Sequence, residues 1–161
     1  MKILPPVVPF RGTRGVDSWG SGNFGASRDG GARAHAGLDF VSVPGDAVHS
    51  PIDGIVTHIG IAYADSEMRS IHVTGTGEHA DVMAKILYCW PDPGLGGRTV
   101  KAGDRLGDAQ DVAGYWKAQQ PDHPGEMRNH VHLEIAINGP TKVDPAHYLP
   151  AELTVHRDPT A

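Results

Sequence analysis

Residues 130–137 read H-V-H-L-E-I-A-I, and their strict alternation predicts the clearest β-strand of the chain. Side chains two positions apart on a strand point to the same face, about 6.6–7 Å apart. His130 and His132 would therefore converge on one small centre, while Val131 and Leu133 would point into the core. Taken alone, the histidine pair is equally compatible with two surface residues on an edge strand.

A second pattern, H-A-G-L-D, joins His35 to Asp39. On a straight strand these two side chains would lie about 13 Å apart and could not share an ion. Gly37 and the strand-like residues after it argue against a helix. The pair can meet only if the chain bends sharply, and Gly37 supplies the conformational freedom for such a bend. The alternative is a loop histidine followed by an aspartate that caps a turn.

Considered together, the two patterns predict a metal site. Two histidines and one carboxylate form a set of ligands found in catalytic zinc sites, and they leave one position for water. One imidazole of the 130–132 pair would bind the ion, and the other would reach the zinc-bound water. An imidazole with a pKa near neutrality can accept the proton of that water, and His130 is placed to do so.

The rest of the chain predicts many short strands joined by glycine and proline turns, which is typical of a closed or sandwiched antiparallel sheet. Asp144 followed by Pro145 predicts the start of one closing helical turn. Residues 1–34 indicate an arm and glycine-rich loops. One short helix is predicted over residues 111–119, and strands are predicted over 36–43, 46–61 with a break at 51–54, 69–74, 82–90, 98–109 as two strands joined by a turn, and 130–137.

Composition restricts the classes of function. A length of 161 residues favours one domain, and 14 basic against 19 acidic residues give a net charge of -5. Without a basic stripe, nucleic acid is excluded as a partner. No window approaches 18 apolar residues, so membrane insertion is not expected. Prolines near the N-terminus argue against a signal peptide. The single cysteine, Cys89, is expected to be a small buried hydrophobe.

Six landmarks in order make the sequence similar to the lysostaphin-type (LytM-like) zinc metallopeptidase family over about residues 22–149. They are F-G-A-S-R (24–28), H-A-G-L-D-F (35–40), P-G-D-A-V-H-S-P-I-D-G-I-V (44–56), V-K-A-G-D-R-L-G (100–107), H-V-H-L-E-I (130–135) and D-P-A-H-Y-L (144–149). The resemblance implies a mainly β, lysostaphin-like two-sheet antiparallel fold with a zinc groove and one or two short helices.

The resemblance also implies roles for individual residues. His35, Asp39 and His132 match the ligands of one Zn²⁺ ion, and His130 matches the general base. The implied activity is hydrolysis of peptide bonds in bacterial peptidoglycan, at the cell wall or in the periplasm. A phage-encoded lysin, delivered by lysis or by the virion, would fit. The expected organisation is an N-terminal arm (1–21), a metallopeptidase domain (22–150) and a C-terminal tail (151–161).

The chain departs from the family pattern at one residue that the catalytic activity requires in the family. The family carries a second catalytic histidine in Tyr-x-His, whereas this chain has Tyr88-Cys89-Trp90. In this respect it resembles the vertebrate leukocyte-derived chemotaxin branch, which keeps the zinc ligands, lacks this histidine and signals instead of cleaving. A catalytically weak or inactive zinc-stabilised binding module is therefore the alternative function.

Several other residues are candidates for the substrate groove. Candidates for replacing the missing donor are His79, His123 and Tyr115. The predicted contacts with the substrate or the transition state are Tyr88, Trp90, Tyr115 and Arg33. A carrier domain for phosphate or acyl groups is a third class, suggested by the Gly-Asp turns at 45–46 and 103–104. That class leaves the motif joining His35 to Asp39 unexplained, and no lysine stands at an evident hairpin tip.

Overall fold

The computed structural model describes residues 3–153, and most of its regular elements are short antiparallel strands. The mainly β fold with a short helix, predicted from the sequence, is confirmed. The α-helix is α1 (Val112–Gln119), and single 3-10 turns occupy Asp29–Gly31, Gly77–His79 and Pro145–Tyr148. The strands are β1 (Val16–Asp17), β2 (Gly20–Ser21), β3 (Ser27–Arg28), β4 (Arg33–Ala34), β5 (Leu38–Val41), β6 (Ala47–His49), β7 (Gly54–Ile61), β8 (Arg69–Gly75), β9 (Val82–Leu87), β10 (Cys89–Pro91), β11 (Thr99–Val100), β12 (Arg105–Ala109), β13 (His130–Ile137) and β14 (Lys142–Val143).

The larger sheet has the strand order β11-β7-β8-β9-β13-β14, and β5 pairs with the first half of β13. The strand β13 is therefore enclosed by β9 on one side and by β5 and β14 on the other. This central position explains why all but the last of its residues are buried. It also fixes His132 directly opposite Asp39.

A second sheet of order β10-β12-β6 shares one hydrophobic core with the larger sheet. Val48, Cys89 and Leu106 from the smaller sheet are fully buried in the same cluster as Ile71 and Val131 from the larger one. The prediction that Cys89 is a buried hydrophobe is confirmed, and burial raises the pKa of its thiol. Two further ribbons, β1–β2 and β3–β4, lie outside these sheets.

The segment predicted to be an N-terminal arm contributes to this core. Leu4, Val7 and Val8 are buried, the amide of His49 donates to the Val7 carbonyl, and the amide of Leu4 donates to the Tyr148 carbonyl. Its first two residues, and residues 154–161 of the predicted C-terminal tail, lie outside the described residues. The domain boundaries remain a prediction.

The single strand predicted over residues 82–90 is wrong, because Tyr88 divides it. Tyr88 adopts a left-handed backbone conformation with φ 70°, which residues other than glycine rarely adopt. The chain thereby leaves the larger sheet at Leu87 and enters the smaller one at Cys89. Hydrogen bonds on both sides hold this turn: the Tyr88 amide donates to the Arg69 carbonyl, and the Gln110 amide donates to the Tyr88 carbonyl.

The two helical predictions agree with the structure. Asp111 caps α1, because its side chain accepts from the amide of Gly114. Asp144 accepts from the amide of Ala146, and Pro145 opens the closing 3-10 turn. None of the helices within residues 3–153 has the length and hydrophobicity needed to cross a bilayer.

Candidate metal centre

Two neighbouring strands and the bend before one of them bring three polar side chains together. Asp39 on β5 and His132 on β13 are register partners, and Asp39 Oδ1 lies 2.9 Å from His132 Nδ1. His35 stands between β4 and β5, with its Nε2 atom 3.0 Å from His132 Nδ1 and 3.3 Å from Asp39 Oδ1. The three atoms thus form a compact triangle of possible metal ligands.

Gly37 makes this triangle possible in a way that differs from the prediction. We expected it to supply conformational freedom, but its φ does not lie in the left-handed region. A Cβ atom at this position would instead lie 2.2 Å from the carbonyl oxygen of Leu133 and 2.8 Å from Cε1 of His132. Gly37 is therefore required because the backbone must approach β13 and the His132 ring closely.

The outer nitrogen of each histidine ring is already committed to another partner. His35 Nδ1 lies 3.0 Å from the carbonyl oxygen of Asn23, to which it must donate. His132 Nε2 lies 3.1 Å from a carboxylate oxygen of Glu134, to which it also donates. In neutral rings, these partners leave lone pairs on His35 Nε2 and His132 Nδ1, both directed at Asp39 Oδ1. Three acceptors that face one another repel unless a cation or a proton lies between them.

The dimensions of the triangle fit zinc. Ligand atoms at about 2.0–2.1 Å from a tetrahedral zinc ion are about 3.3–3.4 Å apart, and the observed separations of 2.9–3.3 Å are slightly shorter. Imidazole nitrogens and a carboxylate oxygen are ligands that zinc accepts. All three side chains are buried. The outer hydrogen bonds that His35 donates to Asn23 and that His132 donates to Glu134 are of the kind that orients ligands in metal sites.

The charges around the site favour an ionised Asp39. Burial opposes ionisation, but the neighbouring His130, His132 and His35 hold the pKa of the Asp39 carboxyl well below its usual range. For His132, burial acts against protonation, yet the carboxylates of Asp39 and Glu134 together raise its pKa. A positive charge is therefore stabilised at the centre of the triangle.

A buried arginine supports Asp39 from the opposite side. Arg14 Nη1 donates to Asp39 Oδ2 at 3.1 Å, so the second carboxylate oxygen is also engaged. Arg14 is itself held by Asp17 through two hydrogen bonds of 2.8 and 2.7 Å. Arg14 was not among the predicted site residues, since its separation of 25 residues from Asp39 gives no local signal. Glu134 was not predicted either, although it stands two residues after His132 and therefore on the same face of β13.

His130 lies beside the triangle. Its Nδ1 donates to the carbonyl oxygen of Arg128 at 2.8 Å, which leaves Nε2 as an acceptor at 3.4 Å from Asp39 Oδ2. Burial lowers the pKa of His130, although the charge of Asp39 acts in the opposite direction. The ring of Tyr88 packs edge-on against the His130 imidazole, with 5.4 Å between the ring centroids.

These side chains line a cavity of about 560 Å³. Of the predicted contact residues, Arg33 and Tyr88 line it, whereas Trp90 and Tyr115 are not among its lining residues. Trp90 is 46% exposed and packs against the guanidinium of Arg69. Tyr115 stacks on Tyr63. Among the described residues, the cavity is lined by Arg14, Trp19, Arg28, Arg33, His35, Ala36, Asp39, Ala62, Tyr63, Leu87, Tyr88, Trp116, Gln120, Met127, His130, His132 and Glu134.

The other candidate donors lie elsewhere. His79 Nδ1 accepts from the amide of Asp53, and His123 stacks on Trp19 with 3.7 Å between the ring centroids. Neither ring lines the cavity within the described part of the chain. The lining instead includes Tyr63, Tyr88 and Trp116: Tyr88 is hydrogen-bonded to Tyr63, which in turn accepts from the indole N–H of Trp116 at 3.4 Å. Burial, followed by the effect of Tyr63, raises the pKa of Tyr88 well above its usual range, so this hydroxyl stays protonated.

Solved structures with the same fold include peptidases. Csd3 of Helicobacter pylori matches with a TM-score of 0.64 and 17% identity, over 99% of this chain and 38% of that one. The catalytic domain of the antimicrobial peptidase lysostaphin from Staphylococcus simulans matches with a TM-score of 0.57 and 18% identity, over 78% and 87%. A zinc-containing peptidase of Vibrio cholerae matches with a TM-score of 0.59 and 19% identity, over 95% and 41%.

These similarities establish that the chain has the lysostaphin-type fold. The chain spans less than half the length of the Helicobacter and Vibrio proteins that it matches. No protein-family model and no curated protein sequence matches it.

Proposed function

We propose that this protein is a zinc metallopeptidase of the lysostaphin type that hydrolyses peptide bonds in bacterial peptidoglycan. The observation that supports this most strongly is the convergence of three possible ligand atoms, from His35, Asp39 and His132, in one cavity. The tautomer of each ring is set by a partner outside the triangle. The shared fold with two solved peptidases and the sequence landmarks of the family point in the same direction.

In this proposal, His35, Asp39 and His132 hold one zinc ion, and Arg14 and Glu134 hold the ligands in position. When bound, zinc polarises the carbonyl of the substrate and lowers the pKa of a water molecule. Arg14 donates to Oδ2 of Asp39 and thereby directs the Oδ1 atom toward the two histidines. Glu134 keeps the proton of His132 on Nε2, so that Nδ1 stays available as a ligand.

His130 is the proposed general base. Its Nδ1 proton is held by the Arg128 carbonyl, so Nε2 is the atom that receives a proton from the attacking water. The distance of 3.4 Å between Nε2 and Asp39 Oδ2 places this acceptor next to the metal ligands. The same imidazole can then pass the proton to the amine that leaves. The Tyr88 ring restricts the orientation of His130 through its edge-on contact.

Tyr88 is the proposed donor to the negative charge that develops on the attacked carbonyl. Tyr88 lines the cavity, its hydroxyl stays protonated, and its backbone is left-handed. Strained backbone conformations often occur at functional sites. Tyr63 fixes the position of the hydroxyl. In this proposal, Tyr88 supplies the hydrogen bond that the missing second histidine would have given.

The second candidate function is a zinc-stabilised binding module without catalytic activity. The observation that favours it is the position of Trp90, which stands in the sequence where the family has its second histidine and lies outside the cavity lining. The described histidines that line the cavity are His35, His130 and His132. A module of this kind would bind the wall peptide in the same cavity and release it unchanged.

Digestion of purified peptidoglycan, with and without a chelator, distinguishes the two functions. Zinc-loaded protein should release peptide fragments that mass spectrometry identifies, and chelation should abolish their release. His130→Ala should stop cleavage and retain zinc, His132→Ala should lose zinc, and the exposed His147→Ala is the control for both. Wall binding without cleavage selects the binding module, and failure of zinc to raise the melting temperature of the parent protein contradicts both functions.

A further inference from the structure

The cavity has a cationic rim formed by a short ribbon outside the two main sheets. The strands β3 and β4 place Arg28 directly opposite Arg33, and both side chains line the cavity together with Arg14. Like charges directly opposite one another destabilise a strand pair. The arrangement is also unexpected in a chain whose net charge is -5. A function of this ribbon in binding an anion would account for it.

The three arginines differ in their partners. Arg14 is neutralised by Asp17 and Asp39, and the exposed Arg33 is paired with Asp29 at 2.6 Å. Within residues 3–153, Arg28 forms no ion pair within 4 Å. In the described part of the chain, its guanidinium donates only to the backbone carbonyls of Ser21 and Ser27. Among the three arginines, Arg28 is therefore the one whose positive charge has no ion-pair partner within the described residues.

The surroundings of Arg28 hold it ready for an anionic ligand. The two carbonyls fix the guanidinium between the ribbons β1–β2 and β3–β4 and use two of its five N–H donors. The side chain is half-buried, and burial, with the like charges of Arg14 and Arg33, lowers its pKa despite the attraction of Asp39. A planar guanidinium with free N–H groups matches a carboxylate through two parallel hydrogen bonds.

We propose that Arg28 binds a carboxylate of the peptide substrate and that this contact makes the protein select peptides with a free carboxylate over their amides. This inference rests on the proposed function, because it assigns a substrate class to the same cavity. Arg33 lies opposite Arg28 on the ribbon and remains paired with Asp29. In this proposal it adds to the positive charge that attracts the carboxylate. The carboxylate could belong to the C-terminus of the peptide or to an acidic side chain within it.

Calorimetric binding to the zinc-loaded protein tests the proposal with two pairs of synthetic peptides. One pair is acetyl-pentaglycine and its C-terminal amide, and the other is acetyl-Gly-Gly-Glu-Gly-Gly-amide and the same peptide with Gln in place of Glu. The acid should bind about tenfold or more tightly than the amide in at least one pair, since a charge-assisted hydrogen bond disappears on amidation. The pair that shows the preference identifies the source of the carboxylate.

Variants assign the preference to Arg28. Arg28→Gln should bind acid and amide equally, and Arg28→Lys should retain part of the preference, because it keeps the charge but loses the paired donors. The matched control is Arg98→Gln, at an exposed arginine that donates to the Pro93 carbonyl. Thermal melting confirms that each variant is folded.

Equal binding of acid and amide by the parent protein in both pairs, or binding of neither, overturns the proposal. A preference that survives in folded Arg28→Gln overturns it as well. Mass spectrometry of the same samples reports cleavage separately. Tight, carboxylate-dependent binding without cleavage would therefore support the Arg28 site and count against the peptidase, whereas cleavage without carboxylate preference would do the reverse.

Discussion

The Nδ1 atom of His132 lies 2.9 Å from Oδ1 of Asp39, although 93 residues separate them in the chain. The two residues meet because they are register partners on β5 and β13. A slip of one residue between these strands would turn one of the two side chains to the opposite face of the sheet. The geometry of the candidate metal centre therefore depends on the same hydrogen bonds that hold the larger sheet together.

Replacing Glu134 with glutamine should weaken zinc binding without unfolding the protein. Glu134 accepts from His132 Nε2 at 3.1 Å and from Lys142 Nζ at 2.9 Å, so its charge orients the ring and makes it a stronger ligand. Loss of such an outer partner lowers metal affinity about 10–100-fold. Competition with a chromophoric chelator measures the change. The control is exposed Glu67→Gln, and equal zinc affinity in both variants would refute this role.

Replacing Gly37 with alanine should destabilise the fold and the metal centre together. The added Cβ would lie 2.2 Å from the Leu133 carbonyl oxygen, so β5 and β13 must separate. Overpacking of this kind lowers the free energy of unfolding by about 1–3 kcal/mol, measured by denaturant titration. Gly96→Ala is the matched control, because its Cβ would meet only Ile59 at 3.8 Å. A Gly37→Ala protein as stable as the parent would contradict the close approach.

Replacing Tyr88 with phenylalanine should lower kcat for peptide cleavage about 100-fold and leave KM little changed. The hydroxyl is proposed to bind the carbonyl oxygen most strongly when that oxygen carries negative charge, so its loss affects the transition state. Steady-state kinetics on a defined peptide give both constants. Tyr115→Phe serves as the control, since Tyr115 stacks outside the cavity lining. Equal losses of kcat in the two variants would show that the Tyr88 hydroxyl has no special role in catalysis.

Stability of the metal-free protein should fall in acid because of Asp17. Burial opposes ionisation of Asp17, but hydrogen bonds from Arg14 and from the amides of Arg128 and Trp19 keep its pKa below the ordinary value. A carboxyl with a lowered pKa stabilises the fold above the unfolded value of about 3.9, and this stabilisation is lost as the pH falls through the folded value. Denaturant titrations between about pH 6 and pH 2 measure it.

The Asp17→Asn variant separates this contribution from that of the other carboxylates. It should be less stable than the parent at pH 7 by about 1–3 kcal/mol and should show a shallower decline in acid. The exposed Asp122→Asn should behave like the parent. If the Asp17→Asn and parent proteins decline with the same slope, Asp17 is not the source of the acid sensitivity.

The elements that could be predicted from the sequence are those with a local signal. The alternation in residues 130–137 gave the strand, and it also gave the burial of Val131 and Leu133 on the opposite face from the histidines. The helix at Val112–Gln119 and the cap at Asp144 follow from their own residues. The meeting of His35, Asp39 and His132 required the family resemblance, because spacing alone left both motifs open to simpler interpretations.

What the sequence could not predict depends on contacts between distant segments. The left-handed conformation of Tyr88 has no sequence signal, since glycine or asparagine is the usual residue there. The hydrogen bond from Arg14 to Asp39 forms only when the N-terminal segment packs against β5. Glu134 is the exception, because its position two residues after His132 on a predicted strand could have indicated that it faces the site.

Burial of the sole thiol has a practical consequence for experiments on this protein. Cys89 is inaccessible, and its raised pKa keeps the reactive thiolate scarce at neutral pH. Maleimide reagents should therefore leave the native chain unmodified, while a cysteine introduced at an exposed position reacts alone. Fluorophores or spin labels can thus be attached at chosen positions without first engineering away the natural residue.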